Sequence, residues 1–273
     1  MNCKGSFVKI ALAIFILLFS NYASSDTLVL NSSRNNKAYI YMQYKPGIPK
    51  FRKFSIKEML HSTSNIFGVS TSFTNQINST NVSSVSNYKE EYRPTYDANK
   101  ISFGGGIGYL VKKYLRLEFE AFYENFNLNK GNYLISGNHR YFALVHDDNK
   151  YVVMENRGLK AGSTLLNICY DVLNAELKQY YISPYFCAGI GINLINFLDS
   201  NFIKLAYQGK SGINFTVNSN IIIYFGAYYH GIADNKFINL PVIYSSDNNS
   251  VKFAESTLSV SYFGAEFGVR FMI

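Results

Sequence analysis

Glu118 and Glu120, two positions apart in the run LRLEFEAFYENF at 115–126, have the types and spacing that could do chemistry. On a strand, residues i and i+2 share a face, so such a pair could divide acid and base work if a substrate reached it. The competing reading is a charge network with Arg116, Glu124, Lys204, Lys210, Glu266 and Arg270, in which charges turned away from water are tolerated because they are paired. The network is the better reading, because an isolated carboxylate pair seldom carries catalysis. His139, His146 beside Asp147 and Asp148, and His230 could belong to a metal or protease site on a loop rim, yet they are scattered through polar stretches without ligand spacing. Gly104, Gly106 and Gly108 in FGGGIGYL fall at every second position, whereas a dinucleotide loop needs G-x-G-x-x-G between a strand and a helix. The sequence therefore offers no catalytic residue, metal set or cofactor cradle, and an enzyme is not expected.

The elements that position these residues alternate with period two. Eight long segments do so, at about 37–46, 100–111, 115–127, 164–174, 182–194, 203–217, 220–231 and 257–272. Short links at 112–114, 175–181 (around Glu176, Leu177 and Lys178) and 218–220 take turns with long polar ones at about 47–99, 128–163, 195–202 and 232–256. Even strand number, short turns at one end and long loops at the other predict an all-β fold: an eight-stranded antiparallel transmembrane barrel of outer-membrane type with long extracellular loops. A larger barrel would recruit NIFGVSTSF at 65–73 and KYVVME at 150–155 as additional strands.

The start of the chain and its composition agree. Residues 1–25 carry Lys4 and Lys9, an apolar run from Ile10 to Phe19 and small residues before Asp26, which reads as a signal peptide, leaving 26–273 as the barrel domain. The apolar run is shorter than the roughly 20 residues a spanning helix needs. Removing the two lysines takes the net charge from +8 to +6 with signs mixed along the chain, which gives no indication of nucleic acid. There are 23 Tyr and 22 Phe but no Trp, a composition suited to strands whose two faces meet different solvents. Asn31, Asn78 and Asn81 head Asn-x-Ser/Thr triplets, which mark surface loops at most.

In the segment at 115–127, Leu115, Leu117, Phe119, Ala121 and Tyr123 oppose Arg116, Glu118, Glu120, Phe122 and Glu124. In the last segment, Phe263, Ala265, Phe267, Val269 and Phe271 oppose Tyr262, Gly264, Glu266, Gly268 and Arg270, and the chain stops inside that strand on Met272–Ile273 rather than on an aromatic residue. Gly104, Gly106, Gly108, Gly189, Gly191, Gly264 and Gly268 share the polar faces, where they would relieve crowding in a narrow lumen. About eight strands leave room only for side chains, so any conductance should be small or need a homo-oligomer.

SPYFCAGIGINL at 183–194, AYQGKSGINF at 206–215, NICYDVL at 167–173, HRYFAL at 139–144 and YFGAEFGVRF at 262–271 resemble the major surface antigen family of tick-transmitted rickettsial bacteria. The likeness runs from about Lys37 to the C-terminus and is strongest in 139–215. The resemblance implies an outer-membrane barrel displaying variable loops, porin-like diffusion in some members, and no catalytic residues. The implied partners are outer-membrane lipid and antibodies, while the length and polarity of the first and second long loops suit equally an adhesin that binds a host-cell receptor through them.

Cys169 and Cys187 both fall on polar faces. If the link folds back near Lys178, residues whose numbers sum to about 356 lie opposite each other, and 169 and 187 do. Directly paired residues lie about 4.5–5.5 Å apart, within disulfide range, and an exported protein meets an oxidising compartment, but adjacent-strand geometry strains such a bond, so the pair is expected to meet in the lumen as a disulfide or as a bare contact.

Overall fold

A computed structural model gives the fold for residues 38–58, 65–146, 150–172, 182–246 and 253–273. The segment read as a signal peptide, Asn31, Asp147, Asp148 and the link through Glu176 and Lys178 lie outside these described residues.

Eight strands close into one antiparallel barrel: β1 (Ala38–Tyr44), β2 (Phe103–Lys112), β3 (Leu115–Phe126), β4 (Leu159–Asp171), β5 (Ile182–Phe197), β6 (Ser200–Thr216), β7 (Ile221–Ile232) and β8 (Ser261–Met272). Each pairs with the next in chain order, and β1 pairs with β8 to complete the ring. Outward side chains are apolar and exposed, among them Phe119, Ile168, Ile190, Ile203 and Phe267. Inward ones are polar yet buried, among them Glu118, Glu120, Asn167, Lys210 and Arg270. That inversion of the soluble pattern is what a wall facing lipid requires. A row of cross-strand partners, Asn125, Lys160, Asn196 and Asn201, replaces apolar residues on the outer surface of β3 to β6 and marks where the lipid belt ends.

The hairpin from β5 to β6 corrects one sequence expectation. The stretch 195–202 is not a long loop: both strands run through it to a two-residue turn at Leu198 and Asp199, whose φ values of 47° and 58° are those of a hairpin turn with left-handed centre. Asn196 and Asn201 look loop-like because they face water beyond the lipid belt, while Ile195, Phe197 and Leu198 on the other face are buried. Similarly, β4 begins at Leu159, earlier than the sequence suggests, and the last alternating segment is broken at Val260.

The three genuinely long connections fold together. A three-stranded sheet joins Arg52–Glu58, Phe253–Ser259 and Lys236–Pro241, and a five-stranded sheet joins Tyr88–Glu91, Asn65–Val69, Tyr141–Val145, Tyr151–Glu155 and Tyr244–Ser245. The segments at 65–73 and 150–155 thus contribute strands to this cap and none to the barrel, which holds at eight. An apolar core that includes Phe126, Phe142, Met154, Phe197, Phe237 and Tyr262 fills the join between cap and barrel mouth.

Inward glycines make room for inward tyrosines. Tyr39 lies across Gly108 and Tyr224 across Gly268 as direct cross-strand partners, and a Cβ at either glycine would collide with the ring. Gly209, facing outward, has nothing within 4 Å of such a Cβ. Gly108→Val is therefore expected to destabilise the refolded barrel by about 1–3 kcal/mol through overpacking, and Gly209→Ala to stay within about 0.5 kcal/mol. Urea unfolding in lipid vesicles measures both, and equal effects would contradict the packing.

Candidate functional site

The middle of the lumen is an ion-pair network built on β3. Alternation turns Arg116, Glu118, Glu120 and Glu124 inward, and β4, β6, β8 and the end of β1 supply partners. Glu120 accepts from five donors: Gln43 at 2.6 Å and Lys45 at 2.5 Å on Oε1, and Asn167 at 2.8 Å, Gln208 at 2.9 Å and Lys210 at 3.0 Å on Oε2. Glu118 takes Lys210 at 3.2 Å, Arg270 at 3.5 Å, Arg116 and the Tyr39 hydroxyl at 2.7 Å. Arg116 also grips Asp171 in a two-pronged pair at 2.7 and 2.9 Å. Glu266 lies 3.9 Å from Lys45 and 4.0 Å from Lys210 and accepts the Tyr185 hydroxyl at 2.6 Å. Four cations, Lys45, Arg116, Lys210 and Arg270, stand against four anions, Glu118, Glu120, Asp171 and Glu266, so the layer is neutral. Aromatic faces complete it, with Arg270 4.0 Å from the Tyr224 ring centre and Lys45 4.1 Å from that of Phe122.

The structure does not bring all the sequence candidates together. Lys204 has inward parity but lies near the outer end of β6, where it pairs with Asp234 and donates to the Lys236 carbonyl instead of joining the network. Glu124 sits nearer the mouth and accepts from Asn99 at 2.5 Å and Ser102 at 3.0 Å, tying the first long connection into the barrel. Lys45, Asp171, Tyr39 and Gln43 were missed. Lys45 is followed by Pro46 and Gly47, a turn signal, although Tyr39, Tyr41, Gln43 and Lys45 keep one parity, the pattern that could have revealed it.

Cys169 lies directly opposite Cys187 with Cα atoms 4.0 Å apart, and a disulfide joins them inside the lumen beside Tyr39, Tyr185 and Tyr224. The loop it closes contributes about 3 kcal/mol by restricting the unfolded chain.

The three candidate histidines are apart. His146 meets Glu58 at 2.5 Å and links the two cap sheets. His230 is not a loop residue: it is buried in β7, 3.0 Å from the Asn193 amide and stacked on Tyr262. His139, in a short turn of the second connection, takes the Gly137 N–H at 3.3 Å on Nδ1, and burial, reinforced by Arg140 and Lys130, holds its pKa below the usual histidine value. Among the described residues, no histidine joins a set of donors able to hold a metal ion.

Below the network, Arg116, Asp171, Arg270, Lys113 and Asn214 help line a cavity of about 220 Å³ at the short-turn end. Above it, an apolar core spans the barrel mouth and the cap.

A closed barrel with an apolar exterior, charges matched inside and long connections folded at one end is an outer-membrane β-barrel. The chain belongs to the surface antigen family, whose family model matches residues 30–273. It is 34% identical over 246 residues to major surface antigen 4 of Anaplasma marginale, covering 86% of this chain and 83% of that protein. The outer membrane protein OprG from Pseudomonas aeruginosa shares the fold at a TM-score of 0.50 and 14% identity, covering 87% of this chain and 97% of that one.

Removing one member of the network strands its partners. Glu120→Leu leaves Lys45 and Lys210 short of a counter-charge and is expected to cost about 3–5 kcal/mol. Lys45→Met added to it recovers part of that loss, because coupled sites are not additive. Lys204→Met, with its partner exposed, costs about 1 kcal/mol or less. Equal losses for Glu120→Leu and Lys204→Met in denaturant titrations would contradict the network.

Proposed function

We propose that this surface antigen is a closed display barrel. Its strands anchor in lipid, both mature termini and the turns at 113–114 and 217–220 face the periplasm, and the folded cap meets the host, with sequence variation concentrated in the cap connections. The observation carrying this reading is that side chains occupy the lumen at two depths, an ion-pair layer midway and an apolar core at the mouth, with a cavity of about 220 Å³ at the short-turn end. Porin-like diffusion through a single barrel is disfavoured, because eight strands enclose only enough room for such a filling.

Two measurements test it. Monodisperse monomer in planar bilayers should give no large, stable conductance steps, and such steps would overturn the closed lumen. In intact cells a thiol reagent that cannot cross the outer membrane should label Ser72→Cys in the cap and leave Lys113→Cys unlabelled until the membrane is permeabilised. The opposite labelling would overturn the orientation.

A further inference from the structure

The stretch Lys50-Phe-Arg-Lys-Phe-Ser-Ile-Lys57 carries four cations in eight residues. Phe51, Phe54 and Ile56 turn into the cap core, which leaves Lys50, Arg52, Lys53 and Lys57 exposed. Lys53 has φ 58°, where the register against Phe253–Ser259 slips by one residue, and the bulge lets neighbouring Arg52 and Lys53 both reach water instead of alternating. Across the sheet, exposed Lys236 shares a rung with Thr257 and Ser55, roughly 10 Å from the Arg52–Glu58 strand at about 4.8 Å per strand.

Among the described residues, Arg52, Lys53, Lys57 and Lys236 hold no ion pair. Of the nearby acids, Asp234 is paired with Lys204 and also lies near Lys236, Glu58 is taken by His146, and Glu255 lies opposite Lys57. Phe253 and Ile238 add exposed apolar surface to the same sheet.

We propose that this sheet binds a linear sulfated polysaccharide. Such a chain repeats its anionic groups along an extended backbone, and cations along one strand with one more, Lys236, two strands away can meet several at once. Binding neutralises those groups and releases their counterions, guanidinium and ammonium groups suit sulfate oxygens, and clustered basic residues of this kind are a known polyanion signature. The inference rests on the display reading in one respect, that the cap faces outward.

Full-length protein in nanodiscs of zwitterionic lipid is titrated with a fluorescent heparin-derived oligosaccharide, neutral dextran, and vesicles containing phosphatidylglycerol. Saturable binding to the heparin oligosaccharide and none to dextran is expected. The triple variant Arg52→Gln, Lys53→Asn, Lys57→Gln should weaken binding about tenfold or more and make the slope of log affinity against log salt shallower by about three. A control variant, Lys89→Gln, Lys113→Gln, Lys130→Gln, removes equal charge elsewhere and should stay within about twofold. Equal losses in the two variants, binding to the anionic vesicles only, or no binding by the unaltered protein would overturn the proposal. Nanodiscs expose both ends of the barrel, so a failed titration leaves the display reading standing, and inverted labelling in cells leaves the binding standing.

Discussion

The fold depends on two adjacent inward carboxylates having nowhere to go but onto cations from across the barrel. Glu118 and Glu120 are fully buried, and a carboxylate taken from water costs several kcal/mol unless matched. Their partners come from β1, β3, β6 and β8, elements up to 225 positions apart in the chain (Arg270 less Lys45). A one-residue slip of any of these strands would turn its charged group toward lipid, so the same pairs that neutralise the lumen also fix the register of the wall. The penalty for a mispaired barrel is larger than the benefit of any single pair, and this is how a buried network can specify a structure without being a large source of stability.

Size sets the second constraint. An eight-stranded ring has room for one layer of side chains, and the layer here contains arginines and tyrosines. Glycines opposite Tyr39 and Tyr224 supply the missing volume, and the disulfide between β4 and β5 packs against the same tyrosines. Beyond the lipid belt the demand reverses. The extended β5–β6 hairpin turns Phe197 and Leu198 toward the cap, and the long connections bring Phe142, Met154 and Phe237 to meet them. One hairpin thus has a polar inner face at depth and an apolar one near its tip, the point at which lumen gives way to domain core.

Much of the wall was legible because lipid on one side and charge on the other impose period two over ten residues or more. The turn at Leu198–Asp199 was not, since Asn196 and Asn201 face water and break the apolar half of the pattern while the strand continues. Lys45 lies inside the alternating segment at 37–46, and its parity with Tyr39, Tyr41 and Gln43 carried the information, but it is not among the eight charges of the expected network. The cap strands were read as loops or as extra wall strands because they are two to seven residues long and pair across large sequence separations, as Asn65–Val69 does with Tyr141–Val145. His230 illustrates the limit of residue type alone: a polar side chain near a long connection reads as solvated, and only the closed ring places it against Asn193 and Tyr262.

The central claim is that the lumen is filled and closed to solutes from the outer side. Ser163 faces inward on β4, is fully buried and lies above the network near Tyr262, so Ser163→Cys in the refolded full-length barrel reports on that closure. The rate of its modification by a small, charged, water-soluble thiol reagent is the measurement. The account predicts no reaction until the protein is denatured. Modification as fast as that of a cysteine on the exposed cap would contradict it.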